Sequence, residues 1–306
     1  MNEDIDQRVR LSAFEWLSKQ TTIHGDVLPR ELLARGFEFD GQLIPLVSPQ
    51  GIFKPKIMPE IPLSITTTPS GPYDDSFRSD DVLIYRYRGA DPNHRDNEAL
   101  RKAMLRRVPL VYFHGVVPGK YLAVWPVFIV GDIPNELAFK VAADDLAYIK
   151  RDVLKETSFL LSDQNTEVRR AYITATVRSR LHQRGFRERV LHAYREQCAC
   201  CRLRRPELID AAHIIPDSKP DGIASVQNGI ALCKLHHASF DSNLIGIRPD
   251  YVIEVRKDVL DEEDGPMLIY GLKALNRKKI ILPSPASLSP DPSLLEKRYD
   301  EFRAAS

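Results

Sequence analysis

The spacing of four side chains constrains this chain more than any other feature. Cys198 and Cys201 form a Cys-x-x-Cys pair, and Cys233 with His236 forms a Cys-x-x-His pair thirty-two residues after Cys201. Two short chelating turns at that separation match a tetrahedral structural zinc site, with each turn supplying two ligands. The sequence therefore predicts Zn2+ held by Cys198, Cys201, Cys233 and His236. Cys200, inside the first turn, is an alternative to Cys198 or Cys201, although the two-residue bite is the usual one. A redox pair is the poorer reading, because no βαβ pattern surrounds the motif and the second pair would go unexplained. All four cysteines fall between 198 and 233, and in a reducing cytoplasm such clustering favours metal over disulfides.

Length and charge bound the rest. A chain of 306 residues suggests two domains, each able to bury its own core. With 43 basic against 42 acidic residues, a nucleic-acid surface has to come from local clustering. The opening "MNEDIDQRVR" carries no basic-then-apolar leader, so a cytoplasmic location is expected. The most apolar stretch, 108–131, is broken by Pro109, His114, Gly115, Pro118, Gly119 and Lys120, which predicts short strands and a turn instead of a membrane span.

Along the chain, residues 7–20 and the stretch "LPRELLARGF" predict two short helices, and "FEFDGQLI" predicts a hairpin around its Asp-Gly turn. Helices followed by a hairpin suit a small winged-helix-like lead-in. From about 60 to 145 the runs "DVLIYRYRG", "VPLVYFHG", "YLAVWPVFIVG" and "LAFKVAAD" predict strands of a small barrel, with a helical insert at "NEALRKAMLRR". Residues 167–197 predict helix. Between Val168 and Arg195 this segment carries eight arginines, including Arg178, Arg180, Arg184 and Arg187, against the single acid Glu188. Such asymmetry suits a surface that tracks phosphates, the alternative being a solvated linker face. A Pro/Ser-rich stretch then leads into a last helix at "LLEKRYDEFRAA".

Between the two chelating turns stand "DAAHIIP" (210–216) and "SVQNGIALCKLHHASFD" (225–241). Here the sequence resembles the HNH endonuclease family, whose ββα-metal finger is a short hairpin and a helix around one catalytic metal. His213 matches the first family histidine, Asn228 the central asparagine and His237 the last histidine, over roughly residues 185–250. The resemblance implies phosphodiester hydrolysis with His213 as general base, since imidazole has a suitable intrinsic pKa. It also implies a divalent cation, Mg2+ or Mn2+, to stabilise the charge of the reacting phosphate. His237 and Asp241, spaced i, i+4 on one helix face, are placed to grip that ion, and Asn228 would hold the loop that carries His213. Ala212 departs from the family pattern, because many relatives carry an acidic or histidine ligand there. Either His237 and Asp241 hold the ion with water and phosphate, or Asp210 reaches in. A structural imidazole at His213, and a spare zinc ligand at His237, are the bland alternatives.

The stretch "SGPYDDSFRSDDVLIYRYRG" (70–89) resembles the SRA domain (SET and RING associated), a PUA-like barrel that flips modified cytosine out of duplex DNA. A flipped base needs flat side chains on its faces and a carboxylate for the cytosine amino group. The resemblance thereby implies stacking by Tyr73 and Tyr87, with Asp75, or Asp74, at the base edge. His94, Asp96 and Asn97 either build the pocket or cap a helix. The bland reading is a barrel whose tyrosines fill the core.

The expected fold is α+β. A helical and hairpin lead-in over 1–59 precedes an SRA/PUA-like recognition barrel over 60–150, a basic helical linker over 151–184, and an HNH domain with C-terminal extension over 185–306. The expected function is modification-dependent restriction of double-stranded DNA carrying 5-methylcytosine or 5-hydroxymethylcytosine, with a homodimer to cut both strands. Rival readings are a zinc-stabilised DNA-binding regulator without catalysis and an HNH nuclease indifferent to base modification.

Overall fold

A computed structural model of the protein describes residues 2–68, 83–144, 163–263 and 265–305. The chain divides into two compact units, Met1–Leu181 and His182–Ser306.

In the first unit, α1 (Asn2–His24) is longer than the predicted helix, because neither glycine nor proline interrupts the chain before Gly25. There the left-handed φ of 78° ends it. Its buried Val9, Ala13, Phe14 and Leu17 recur at helical spacing. After β1 (Val27–Pro29) and α2 (Arg30–Arg35) comes the predicted hairpin, β2 (Phe37–Phe39) and β3 (Gln42–Ile44). Asp40 and Gly41 both have positive φ at its turn, as a two-residue connection requires. Gly36 has no substitute: a Cβ there would lie 1.8 Å from the Ile44 carbonyl oxygen.

The remaining elements of this unit are β4 (Ile52–Phe53), β5 (Ser64–Thr67), β6 (Leu83–Arg86), α3 (Arg95–Leu105), β7 (Leu110–Val117), β8 (Lys120–Ile133) and β9 (Ala138–Ala143). Seven strands form one sheet in the order β4-β5-β7-β8-β9-β6, with β1 pairing onto β8. Only β5 and β7 run parallel. Among the described residues no ladder joins β4 to β6, so the sheet is a half-barrel.

Both faces of this sheet are buried, which explains its continuous apolar runs. Val111, Phe113, Tyr121 and Ala123 face the core that α1 and α2 cover; Leu110, Tyr112, Leu122 and Val124 face a second core. The lead-in residues are thereby built into the sheet, through the register of Val27 with Leu122 and of Ile52 with Ile65.

A single helix, α4 (Asp163–Ala193), runs from the first unit into the second. Ile173, Val177 and Leu181 pack on the second core of the first unit. In the second unit β10 (Ile209–His213) pairs antiparallel with β11 (Gly229–Cys233), and α5 (Lys234–Asp241) follows at once, giving the expected ββα order. A second hairpin, β12 (Ile245–Ile247) with β13 (Ile253–Val255), leads to α6 (Lys257–Asp261), α7 (Pro266–Gly271) and α8 (Pro292–Ala304). Phe302 of α8 packs so close to Gly246 that a Cβ there would meet the ring at 2.6 Å. One apolar core, from Phe186 to Leu295, joins these elements. No helix among the described residues is long and apolar enough to cross a membrane.

Candidate metal centre and nuclease site

Cys198 and Cys201 lie on a tight turn closed by hydrogen bonds from the Cys198 amide to Leu203 and from the Arg202 amide to Cys198. The Ala199 amide donates to the Ala231 carbonyl at 2.7 Å and fastens this turn to β11. Cys233 ends that strand, and His236 lies in the first turn of α5. Among the described residues, these four are the one group of three or more possible ligands whose donor atoms lie within 4.8 Å of one another.

Their geometry fits zinc. Bonds of about 2.3 Å to sulfur in a tetrahedron put sulfurs about 3.8 Å apart, and Cys201 Sγ lies 3.9 Å from Cys233 Sγ. His236 Nδ1 is 3.3 Å from Cys198 Sγ and 3.1 Å from Cys233 Sγ. On the far side of the ring, Nε2 donates to the Gly271 carbonyl at 2.7 Å, which fixes the tautomer and leaves Nδ1 for the metal. Burial disfavours positive charge at the His236 ring, but the two sulfurs and the carbonyl outweigh it and favour a positive charge there, which a bound cation would supply in place of a proton. Cys200 is outside the group, and hydrogen bonding to Cys198, then burial, push its thiol well up.

His213 ends β10, opposite Gly229. Its ring stacks on Phe186 of α4, with centroids 3.9 Å apart and planes within 13°. A Cβ at Gly229 would come within 2.5 Å of Val190 and 2.9 Å of Phe186, so glycine allows the helix to press against the strand at this point. His213 Nε2 is buried and has no hydrogen-bond partner among the described residues. Burial lowers the His213 pKa; Asp217 and Asp241 oppose that shift, while His182 and His237 add to it. The imidazole is thereby kept neutral, the form a proton acceptor needs.

Asn228 is fully buried and fastens the chain just after His213. Its amide accepts from the Ile215 N–H at 2.9 Å and donates to the Ile215 and Ile223 carbonyls at 2.9 and 3.0 Å. The Ile214 N–H donates to the Asn228 carbonyl at 2.9 Å. On α5, His237 Nε2 lies 3.3 Å from Asp241 Oδ2. Adjacent ligands of a small divalent ion are about 3 Å apart, so this imidazole and carboxylate suit one such ion, with water and phosphate oxygens completing its shell. Asp210 is otherwise engaged, by Arg187 Nε at 3.1 Å and by the Ala211 N–H. Asp217, on the loop after β10, acts electrostatically on His213, as Asp241 does.

The structure distributes the arginines of α4 differently from the sequence expectation. Arg169 and Arg170 both bind the buried carboxylate of Asp144. Arg187 is committed to Asp210, Glu188 and the carbonyls of Pro206 and Ile209, and Arg189 to the carbonyl of Ala224. These four arginines therefore brace the fold. Arg180 and Arg184 are exposed, and the side chain of Arg178 lies outside the described residues.

The stacking role expected for Tyr87 does not fit its packing. Its ring is buried against Phe139, Arg101 lies over it, and its hydroxyl is held by Asp132 and by Arg101. No face is left for a base. His94 caps α3 by accepting from the Asp96 N–H, and fully buried Asn97 ties the loop before it to Arg88 and Asp91. Tyr73, Asp74 and Asp75 lie outside the described residues.

Phe186, Asp217, His182 and the Gly271 carbonyl were not legible as parts of these sites. Phe186 and Val190, four apart, mark a buried helix face, but no local signal pairs that face with His213.

Comparison with known proteins defines the class. Residues 198–248 match the family model described as HNH endonuclease, which spans the three cysteines and the histidine of the metal group, both strands of the ββα unit and its helix. The chain carries an HNH endonuclease domain and is a DNA-hydrolysing nuclease. Among solved structures, it is similar to one described as "Modification dependent TagI restriction endonuclease", at 13% identity over 79% of this chain and 82% of that one, with a TM-score of 0.29. No curated protein sequence matches.

Proposed function

We propose that the protein is a modification-dependent restriction endonuclease that cuts DNA with the HNH site of its second unit. The observation that carries the nuclease half is the convergence on His213 of a burial-neutralised ring, the Asn228-fastened loop and the His237–Asp241 pair. In this reading the His213 imidazole, kept neutral by burial, takes the proton from the attacking water. Asn228 positions the loop, and His237 with Asp241 would hold Mg2+ or Mn2+. Such an ion, when bound, supplies charge stabilisation to the phosphate and the leaving 3′ oxygen. Zn2+ on Cys198, Cys201, Cys233 and His236 is structural. Arg180 and Arg184, with Arg178, remain the candidates for DNA-backbone contact.

Dependence on modified cytosine rests on the sequence resemblance at Tyr73, Asp74 and Asp75. One HNH centre cuts one strand, so a homodimer is the economical route to a double-strand break. A nuclease indifferent to modification is the second reading, favoured by the burial of Tyr87. The deciding experiment compares cleavage of matched duplexes carrying cytosine, 5-methylcytosine or 5-hydroxymethylcytosine, with Mg2+, Mn2+ or neither, using His213→Ala as control. Cutting confined to a modified duplex and lost in the variant supports the proposal. Equal cutting of all three leaves only the second reading.

A further inference from the structure

Of the four titratable groups that act on His213, His182 has no part in the mechanism above. His182 lies on α4 four residues before Phe186, so the two share a helix face, and Phe186 stacks on His213. His182 Nδ1 is 3.8 Å from Asp217 Oδ2, and both groups act electrostatically on the His213 ring. They form an imidazole–carboxylate pair on one side of His213, while His237 and Asp241 form another on α5.

Asp217 is held in place on both sides. Asn228 fastens Ile215 just before it. A Cβ on Gly222 would lie 2.1 Å from the Pro216 carbonyl oxygen, so the loop folds back tightly on itself. Ion pairs from Lys219 to Glu301 and from Asp221 to Lys297 tie the loop to α8. An imidazole with Nδ1 turned to a carboxylate presents Nε2 to a ligand. On α4, Arg187 and Arg189 are committed to Asp210 and to the Ala224 carbonyl, whereas His182 is exposed.

A phosphodiester under attack gains negative charge, and donors fixed in advance around it stabilise that gain. We propose that His182, which lies beside Asp217, is a further residue of the hydrolytic site and donates to a non-bridging oxygen of the phosphate attacked beside His213. The inference rests on the nuclease reading of that site. His182 lies outside the matched segment 198–248, and no zinc ligand depends on it.

The test uses the full chain with His182→Ala and His182→Arg, each checked for zinc content and melting temperature. Turnover of a duplex that the wild type cuts is measured with Mn2+. Binding of the same fluorescein-labelled duplex is measured by anisotropy with divalent ion omitted. His182→Ala is expected to lower kcat by roughly 10- to 100-fold, with a smaller change in KM, because the contact strengthens as phosphate charge grows. Its duplex affinity should fall about fivefold, equivalent to one ordinary hydrogen bond. His182→Arg, which supplies an N–H donor at the same position, should recover part of both. Wild-type kcat in His182→Ala overturns the proposal, and so does equal loss in both variants accompanied by a lowered melting temperature. If the wild type cuts no duplex, the nuclease reading fails separately. Equal affinity of wild type and His182→Ala would then still dismiss the phosphate contact.

Discussion

At the scale of single residues, the chemistry of His213 is set by what presses on its ring. Gly229 lies opposite His213, and a methyl group there would meet Val190 at 2.5 Å and Phe186 at 2.9 Å. Gly229→Ala is therefore expected to push Phe186 from its stack and cost about 1–3 kcal/mol in overpacking. Cleavage should fall by tenfold or more, because small misplacements of a reacting group are expensive. Zinc content, measured by metal analysis, should not change, since no ligand is touched. Cleavage at the wild-type rate in this variant would mean that the stack does not position the base. Burial is also the largest influence on the His213 pKa and lowers it, so the ring stays neutral at pH values where an exposed imidazole would be protonated. The acid limb of kcat/KM against pH should accordingly fall below about 6.5, the ordinary histidine value. Phe186→Ala, which wets the ring, should move that limb upward. A limb that stays in place would separate the titrating group from His213.

At the scale of elements, the segments legible in the sequence are those whose signals are local. The Asp-Gly turn specified the β2–β3 hairpin, and the spacing of Cys198, Cys201, Cys233 and His236 specified the metal group, because each is decided within a few residues of chain. For Tyr87 the sequence left base stacking and a place in the core both open, and the choice between them is not local. Its partners Asp132 and Phe139 lie about fifty residues away, and only the sheet brings them together. The arginines of α4 show the same limit: they read as a phosphate-tracking stripe, while Asp144, Asp210 and the Ala224 carbonyl, which hold four of them, are remote in sequence. Asn228 falls between these cases. Its place in the motif marked it for a loop, and the structure supplies the three side-chain hydrogen bonds by which it acts. Asn228→Ala leaves buried backbone groups of Ile215 unpaired and should cost about 2–4 kcal/mol. It should therefore lower the melting temperature as well as cleavage. Loss of cleavage at an unchanged melting temperature would instead assign Asn228 a direct part in the chemistry.

At the scale of the whole molecule, each unit has cores of its own. In the first unit they lie on the two faces of the half-barrel, and in the second one core runs from Phe186 to Leu295 around the Cys3His group. The metal group ties together segments that hydrophobic contact alone would hold weakly: the Cys198–Cys201 turn, the end of β11, the start of α5 and, through His236, the end of α7. Binding of a structural zinc contributes on the order of 10–16 kcal/mol in small fingers, more than a typical domain's net stability. Removing the metal with a chelator, or replacing a ligand as in Cys233→Ala, should therefore unfold the second unit and leave the first folded. The chain supplies its own reporter, since both tryptophans, Trp16 and Trp125, lie in the first unit. Calorimetry of the zinc-loaded protein should resolve two transitions, and chelation should abolish one. The melting curve followed by tryptophan fluorescence should stay within a few degrees of its original midpoint. An equal downward shift of the tryptophan transition would show instead that α4, which runs through both units, couples them into one cooperative body. A chelated protein that keeps both transitions would remove zinc from the account of stability.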